Sequence, residues 1–250
     1  MLRIAFDLDG VLADMDGELA RHAEALFGER AVRPRDEPAA DERTAPADEA
    51  AAEQTPGDAA PADDSAPVPV RLNINARQTR QLWDRVQGVE NFWETLAEIE
   101  PGTIARLGTI ASERRWEVIF LTKRPRSAGA TAQVQTQRWL EAKGFTLPSV
   151  FVVQGSRGRI ASALALDVVV DDRPENCLDV VVDSSARAIL VWRSATEQVP
   201  SSAQRLGIGV VKSVAECLDI LTEIDRPTRE APGLMSRMKR ALGLNETTSA

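Results

Sequence analysis

The sequence predicts an α/β protein with a three-layer, Rossmann-like architecture, in which a parallel sheet lies between two layers of helices. Short aliphatic runs alternate along the chain with segments of helical periodicity, and strands of a parallel sheet are nearly continuous apolar runs because both of their faces are buried. Acidic residues follow two of these runs, and ligands of such sheets bind beyond the carboxyl ends of the strands. With 250 residues, 43% of them hydrophobic, the chain can bury one sizeable core.

Each element is predicted from the spacing of its apolar residues. Residues 2–8 form an apolar run that ends in carboxylates and Gly10, which is typical of a buried strand. Later apolar runs predict four more strands, at residues 117–122, 150–153, 168–170 and 188–192. Apolar residues three or four positions apart predict helices at residues 14–28, 76–86, 92–99, 101–114, 129–143, 157–166, 174–183 and 213–224.

Composition divides the chain into four parts. Residues 33–70 contain ten acidic residues, three arginines, 11 alanines and seven prolines, and valine is their only larger aliphatic residue. Because such a segment buries too little apolar surface to offset its ordering entropy, we predict a disordered insertion there. The insertion interrupts a small helical cap, residues 14–32 and 71–100, which follows the first strand. Residues 1–13 and 101–225 form the predicted core, and residues 226–250 form an amphipathic C-terminal tail.

The net charge of −8 arises almost entirely within the insertion, since the other residues hold 28 acidic and 27 basic side chains. The low pI therefore describes the insertion and says little about partners of the rest of the chain; we expect no nucleic-acid partner. Two cysteines, Cys177 and Cys217, are too few for a disulfide framework and indicate reduced thiols in a cytoplasmic protein. No apolar run approaches the roughly 20 residues that cross a bilayer, so we expect no stable membrane insertion. The sequence is compatible with a homodimer.

Two pairs of carboxylates follow predicted strands. Asp7 and Asp9 are two residues apart at the end of the first strand, so both side chains can point toward one cavity. Asp171 and Asp172 follow the apolar run at residues 168–170. If the two strands are neighbours in the sheet, these acids converge and repel one another unless a cation lies among them. Because hard oxygen ligands suit Mg²⁺, we predict a Mg²⁺ site formed by these four acids.

Phosphoryl transfer needs a nucleophile, a proton donor and groups that bind the phosphate, and residues near these strand ends can supply each of them. Asp7 is placed to attack phosphorus and form an aspartyl-phosphate. Asp9 is placed to protonate the leaving oxygen and then to activate water. The phosphate oxygens need hydrogen-bond donors and a fixed positive charge. The candidates for these phosphate-binding roles are Thr122, Lys123, Arg157 and Arg159.

These motifs resemble those of the haloacid dehalogenase-like hydrolase superfamily, and they occur in the same order. Asp7-x-Asp9-Gly10-Val11-x-x-Asp14 matches the first motif without substitution. Thr122 fits the second motif, and Asp171-Asp172 fits the fourth. The resemblance implies a Mg²⁺-dependent phosphomonoester hydrolase in which Asp172 occupies the metal position.

The third motif is where the chain departs from the family pattern. That motif normally presents a lysine, and the best-placed residue here is Arg157, two residues before Arg159. A guanidinium keeps the charge but is bulkier and differently shaped, so the resemblance implies an altered phosphate pocket.

Within the superfamily, the chain resembles the 5′(3′)-deoxyribonucleotidases and their bacterial relatives. The resemblance depends on the first motif, on Asn91-Phe92-Trp93-Glu94-x-Leu96 ahead of Pro101-Gly102, and on Asp171-Asp172-Arg173-Pro174. It implies that the small phosphorylated substrate is a nucleoside monophosphate, with Phe92 or Trp93 of the cap packed on the nucleobase. A small cap also needs a core, so packing is the alternative role for both rings.

Two other functions stay open. A phosphatase for another small metabolite, such as a sugar phosphate, would use the same fold, since the fold does not select the substrate. A catalytically weak binding module would hold a partner through the acidic insertion or the basic tail. The presence of all four acids argues against the binding module, because a decayed site is expected to lose some of them.

Overall fold

The computed structural model describes residues 1–32, 72–194 and 198–225. The predicted insertion at residues 33–70 and the predicted tail at residues 226–250 lie outside the described residues. The strands are β1 Arg3–Asp7, β2 Glu117–Thr122, β3 Ser149–Val152, β4 Val168–Asp171, β5 Arg187–Val191 and β6 Gly209–Val211. In the described part of the chain they form one sheet in the order β3-β2-β1-β4-β5-β6, and every neighbouring pair is parallel.

Helices cover both faces of the sheet, which confirms the predicted three-layer α/β fold. They are α1 Met15–Phe27, α2 Ala76–Gln87, α3 Thr103–Arg114, α4 Ala132–Ala142, α5 Arg157–Ala163, α6 Pro174–Asp183, α7 Ser201–Arg205 and α8 Val214–Ile224. Alternate residues of a strand point to opposite faces, so Ile4 and Phe6 join one apolar cluster while Ala5 joins another. Residues of α3, α4 and α8 complete the first cluster, and residues of α5, α6 and α7 complete the second.

The two helices of the predicted cap, α1 and α2, pack against each other. Their buried residues, including Leu19 and Leu82, belong to the same apolar cluster as one face of the sheet. On either side of the undescribed residues 33–71, Asn73 N donates a hydrogen bond of 2.8 Å to Ala31 O. The chain therefore leaves and re-enters the described structure at adjacent points, while the division into cap and core stays a prediction.

The helix predicted at residues 92–99 is wrong, because only Phe92–Glu94 forms a turn of 3₁₀-helix. The backbone that follows pairs with the segment after β1. Ala97 O accepts from Asp14 N, and Ile99 N donates to Leu12 O, both at 2.9 Å. Long-range pairing thus replaces the local helical hydrogen bonds. The elements β6 and α7 were not predicted, since three and five residues are too short to display a period.

Two findings bear on the predictions for the chain as a whole. Cys177 and Cys217 are both buried and unpaired. Within the described ranges, no helix combines the length and the apolarity that crossing a membrane requires.

Candidate active site

The carboxylates predicted to converge do so at the carboxyl ends of β1 and β4. These strands are neighbours, with Phe6 paired with Val170, so Asp7 and Asp171 follow at the same edge of the sheet. β2 lies on the other side of β1 and brings Thr122 to that edge. Segments that are distant in the sequence therefore meet at one site.

Asp7 contacts one of the two candidate arginines. It is 7% exposed, and Arg157 Nη2 donates a hydrogen bond of 2.5 Å to its Oδ1. Burial raises the pKa of Asp7 well above its usual value, and the neighbouring carboxylate of Asp171 raises it further, while Arg157 opposes both effects. Arg159 is exposed. Arg157 is therefore the arginine that faces the predicted nucleophile.

Asp171 is completely buried, and neighbouring donors contact both oxygens of its carboxylate. Asn176 Nδ2 lies 3.0 Å from both oxygens, and Arg173 N donates to Oδ1 at 2.9 Å. Arg157 Nε lies 3.7 Å from Oδ2. Burial raises the pKa of Asp171 despite these partners. Asp171 therefore holds Arg157 and the start of α6 in place and offers no exposed oxygen to a substrate.

Asp172 presents an unpartnered carboxylate oxygen beside the first motif. Its Oδ1 is buried and has no hydrogen-bond partner within residues 1–32, 72–194 and 198–225. Burial together with the Asp171 charge raises the pKa of Asp172 to about 7. Gly10 has a φ of +90°, and a Cβ at this position would lie 2.1 Å from Asp172 Oδ2. Glycine thus permits both the left-handed turn after β1 and the close approach of Asp172.

Asp9 is held by donors from the end of β2. Thr122 Oγ1 donates to Oδ2 at 3.0 Å. Arg124 Nε lies 3.0 Å from both carboxylate oxygens, and Arg124 Nη2 donates to Oδ1 at 2.7 Å. Lys123, between these two residues, is half-buried. The sequence analysis missed Arg124, although its place two residues after Thr122 was a usable signal.

Comparisons with known proteins bear on this fold. No protein-family model matches the sequence, and no curated protein matches it. A HAD family hydrolase from Deinococcus radiodurans R1, solved with bound phosphate and sodium, has a TM-score of 0.52 at 14% identity, covering 88% of this chain and 95% of that one. The chain has the HAD hydrolase fold. A putative beta-phosphoglucomutase from Thermotoga maritima has a TM-score of 0.48 (18% identity, covering 89% of this chain and 99% of that one). A haloacid dehalogenase-like family hydrolase from Xanthomonas campestris has a TM-score of 0.39 (14% identity, covering 89% and 97%).

The two aromatic residues predicted to contact a nucleobase are buried within this HAD fold. Phe92 and Trp93 are both 0% exposed. Their rings meet edge to face with centroids 4.9 Å apart, and Trp93 Nε1 donates to Pro125 O at 3.0 Å. Neither ring offers a face on which a base could stack, because the surrounding domain covers both. Packing, the alternative role, is what the structure shows for them.

A second arginine that the sequence analysis missed supports the first motif of the HAD fold. Arg193 follows β5 and donates from Nη1 to Gly10 O at 2.6 Å and from Nη2 to Val11 O at 3.0 Å. It also pairs with Glu100 at 2.6 Å. Contacts to backbone carbonyls leave no sequence signal, because any residue supplies the same carbonyl. Beside Arg193, a cavity of about 230 Å³ is lined by residues that include Gly10, Asp14, Asp172 and Trp192.

Asp7 and Asp172 are the two carboxyl groups that could hold the predicted cation. Both have raised pKa values because they are buried among other acids, and Asp172 Oδ1 has no hydrogen-bond partner among the described residues. In the part of the chain that is described, no three His, Cys, Asp or Glu side chains are already grouped as metal ligands. Arg157 contacts Asp7, and Arg124 holds Asp9. Burial is the main cause of these raised pKa values, and repulsion among the carboxylates adds to it. A hard cation would offset that repulsion, and oxygen donors are the ligands that Mg²⁺ prefers.

Proposed function

We propose that the protein is a Mg²⁺-dependent phosphomonoesterase of the haloacid dehalogenase-like superfamily that acts through an aspartyl-phosphate on Asp7. One observation carries the proposal. At the carboxyl end of β1, Asp7 is hydrogen-bonded to Arg157. Two residues further along, Asp9 accepts a hydrogen bond from the hydroxyl of Thr122. A nucleophile, a cation for the phosphate and a second carboxyl group for proton transfer are thereby gathered at one strand end.

Arg157 is suited to bind the phosphoryl oxygens. Its Nη2 contacts Asp7 Oδ1, whereas its Nε and Nη1 are buried and have no hydrogen-bond partner in the described part of the chain. Donors beside the attacking oxygen can receive the negative charge of the transferred group. Asp7 must be ionised to attack phosphorus, and the adjacent guanidinium favours the ionised form. Arg157 thus serves both the nucleophile and the phosphate.

Asp9 serves proton transfer in the proposed reaction. It gives a proton to the leaving oxygen when Asp7 attacks, and it then takes a proton from the water that hydrolyses the aspartyl-phosphate. Thr122 Oγ1 and Arg124 donate to its carboxylate and fix the orientation of the carboxylate plane. A Mg²⁺ ion held by Asp7 and Asp172 would supply Lewis-acid stabilisation of the phosphoryl charge.

We propose nucleoside monophosphates as the substrates, on the resemblance of residues 91–96 and 171–174 to the deoxyribonucleotidase motifs. A second candidate, a phosphatase for a smaller metabolite such as a sugar phosphate, is favoured by the burial of Phe92 and Trp93.

The test is phosphate release from a panel of ribonucleotides, deoxyribonucleotides and sugar phosphates, measured with Mg²⁺ and with EDTA. We expect turnover only with Mg²⁺, and we expect Asp7→Asn to lower kcat by at least about 10³-fold because it removes the nucleophile. The matched control is Asp84→Asn, the same change at an exposed position of α2. Turnover by Asp7→Asn would contradict the nucleophile assignment, and no release from any compound would favour the binding module.

A further inference from the structure

Arg124 is a buried arginine whose charge is directed at one carboxylate. Its side chain is 0% exposed, and the side chain of its partner Asp9 is 11% exposed. Three contacts join the two groups: Nε to both oxygens at 3.0 Å and Nη2 to Oδ1 at 2.7 Å. A guanidinium that contacts both oxygens of a carboxylate restricts the rotation of the carboxylate plane, which a single hydrogen bond does not.

Two tryptophans and a threonine hold the guanidinium itself. Arg124 Cζ lies 4.9 Å from the ring centroid of Trp93 and 5.7 Å from that of Trp139, both within the range of cation–π attraction. Each indole is tied to the backbone, since Trp93 Nε1 donates to Pro125 O and Trp139 Nε1 donates to Leu96 O. Arg124 Nη1 also donates to Thr136 Oγ1 at 2.9 Å. The guanidinium therefore has one available orientation.

We infer that Arg124 is a positioning residue for the proton transfer that Asp9 performs, and that Trp93 and Trp139 act as the rigid support of Arg124. The inference builds on the proposed function. Arg124 reaches Asp9 and is itself sealed from solvent, so its effect on the reaction passes through the Asp9 carboxylate. Trp93, one of the two aromatic residues that the motif resemblance offered as contacts of the nucleobase, thus affects the reaction by supporting Arg124.

The leaving group distinguishes this role from a structural one. An alkyl phosphate needs a proton on its leaving oxygen, whereas p-nitrophenyl phosphate releases a stabilised anion that needs far less help. The value of kcat/KM reports the steps up to formation of the aspartyl-phosphate. We expect Arg124→Lys to lower kcat/KM about 10²-fold for the best alkyl phosphate of the panel, as loss of general acid catalysis does, and less than about fivefold for p-nitrophenyl phosphate.

A double-mutant cycle tests whether Arg124 acts through Asp9. Asp9→Asn alone should reproduce the dependence on the leaving group, and adding Arg124→Lys to Asp9→Asn should lower kcat/KM by less than about threefold more.

A second pair of variants, each a tryptophan changed to phenylalanine, distinguishes the support of Arg124 from general packing. Trp139→Phe removes the hydrogen bond to Leu96 O, and we expect it to lower kcat/KM for the alkyl phosphate alone. Trp116→Phe removes an indole hydrogen bond away from the site, the one of 2.7 Å from Nε1 to Asp225. It should leave kcat/KM unchanged for both substrates.

Equal losses for the two substrates, or losses that multiply in the double variant, would overturn the positioning role. Circular dichroism and thermal melting identify variants that have unfolded, and Trp139→Phe carries the test if Arg124→Lys fails to fold. The proposed function is tested separately. An inactive wild-type protein contradicts the phosphatase proposal, whereas an active wild type whose Arg124→Lys variant loses kcat/KM equally for both substrates contradicts only the role of Arg124.

Discussion

Replacing Gly10 with alanine tests how far the site depends on the close approach of backbone and carboxylate. Gly10 has a φ of +90°, and the added Cβ would lie 2.1 Å from Asp172 Oδ2. Ordinary van der Waals contact begins near 3.4 Å. Either Asp172 or the turn after β1 must therefore move by more than an ångström.

Two effects of different size follow from this geometry. An L-residue in the left-handed region costs about 1–2 kcal/mol, which lowers the free energy of unfolding without preventing folding. A displacement of about 1 Å in a group that must be aligned for reaction can cost roughly 10²-fold in rate. We therefore expect Gly10→Ala to remain folded and to lose about 10²-fold in kcat/KM. Its free energy of unfolding should fall by at least about 1–2 kcal/mol, because the displacement of Asp172 adds to the backbone strain.

Gly102→Ala is the matched control for this variant. Gly102 has a similar φ of +85°, but no neighbouring atom of the described residues lies within 4 Å of the position its Cβ would take. In urea, the control should lose only the free energy of the backbone strain, about 1–2 kcal/mol, and it should keep its kcat/KM for phosphate release. Equal kcat/KM values for the two variants would refute the reasoning, because they would show that contact with Asp172 has no catalytic consequence.

Three further outcomes are expected. Arg157→Met leaves Asp7 and Asp171 without the guanidinium that they share, so the free energy of unfolding in urea should fall by about 3–5 kcal/mol. The same change at exposed Arg159 should alter it by less than about 0.5 kcal/mol, and similar losses for the two variants would contradict the role of Arg157. Burial and Asp171 raise the pKa of Asp172 from 3.8 to about 7, so the native state keeps a proton that the unfolded state loses, and in EDTA the free energy of unfolding should fall as pH rises across this interval. Asp172→Asn should flatten that fall, and an unchanged slope would contradict the raised pKa of Asp172. Deleting residues 36–66 should change kcat/KM by less than about tenfold, because hydrogen-bonded residues flank the segment; a larger loss would place the insertion in the site.

Local patterns predicted most of the fold. The strands β1, β2 and β4 are apolar along their length because both faces are covered, so their positions are visible in the sequence. The segment 92–99 shows where this reasoning fails. Its apolar spacing suggested a helix, but its backbone forms hydrogen bonds with residues 12–14. Such long-range pairing cannot be predicted from the local spacing of apolar residues.

The candidate site divides in the same way. The sequence by itself determined that Asp7, Asp9, Thr122 and Asp171 stand at strand ends, because a strand end is a local feature and parallel strands present all such ends at one edge. Only the tertiary structure decided that Arg157 rather than Arg159 faces Asp7, and that Arg124 holds Asp9. It also decided that Trp93 supports an arginine instead of meeting a substrate. These outcomes depend on which side of each helix and loop is turned toward the sheet, and packing between distant segments sets that orientation.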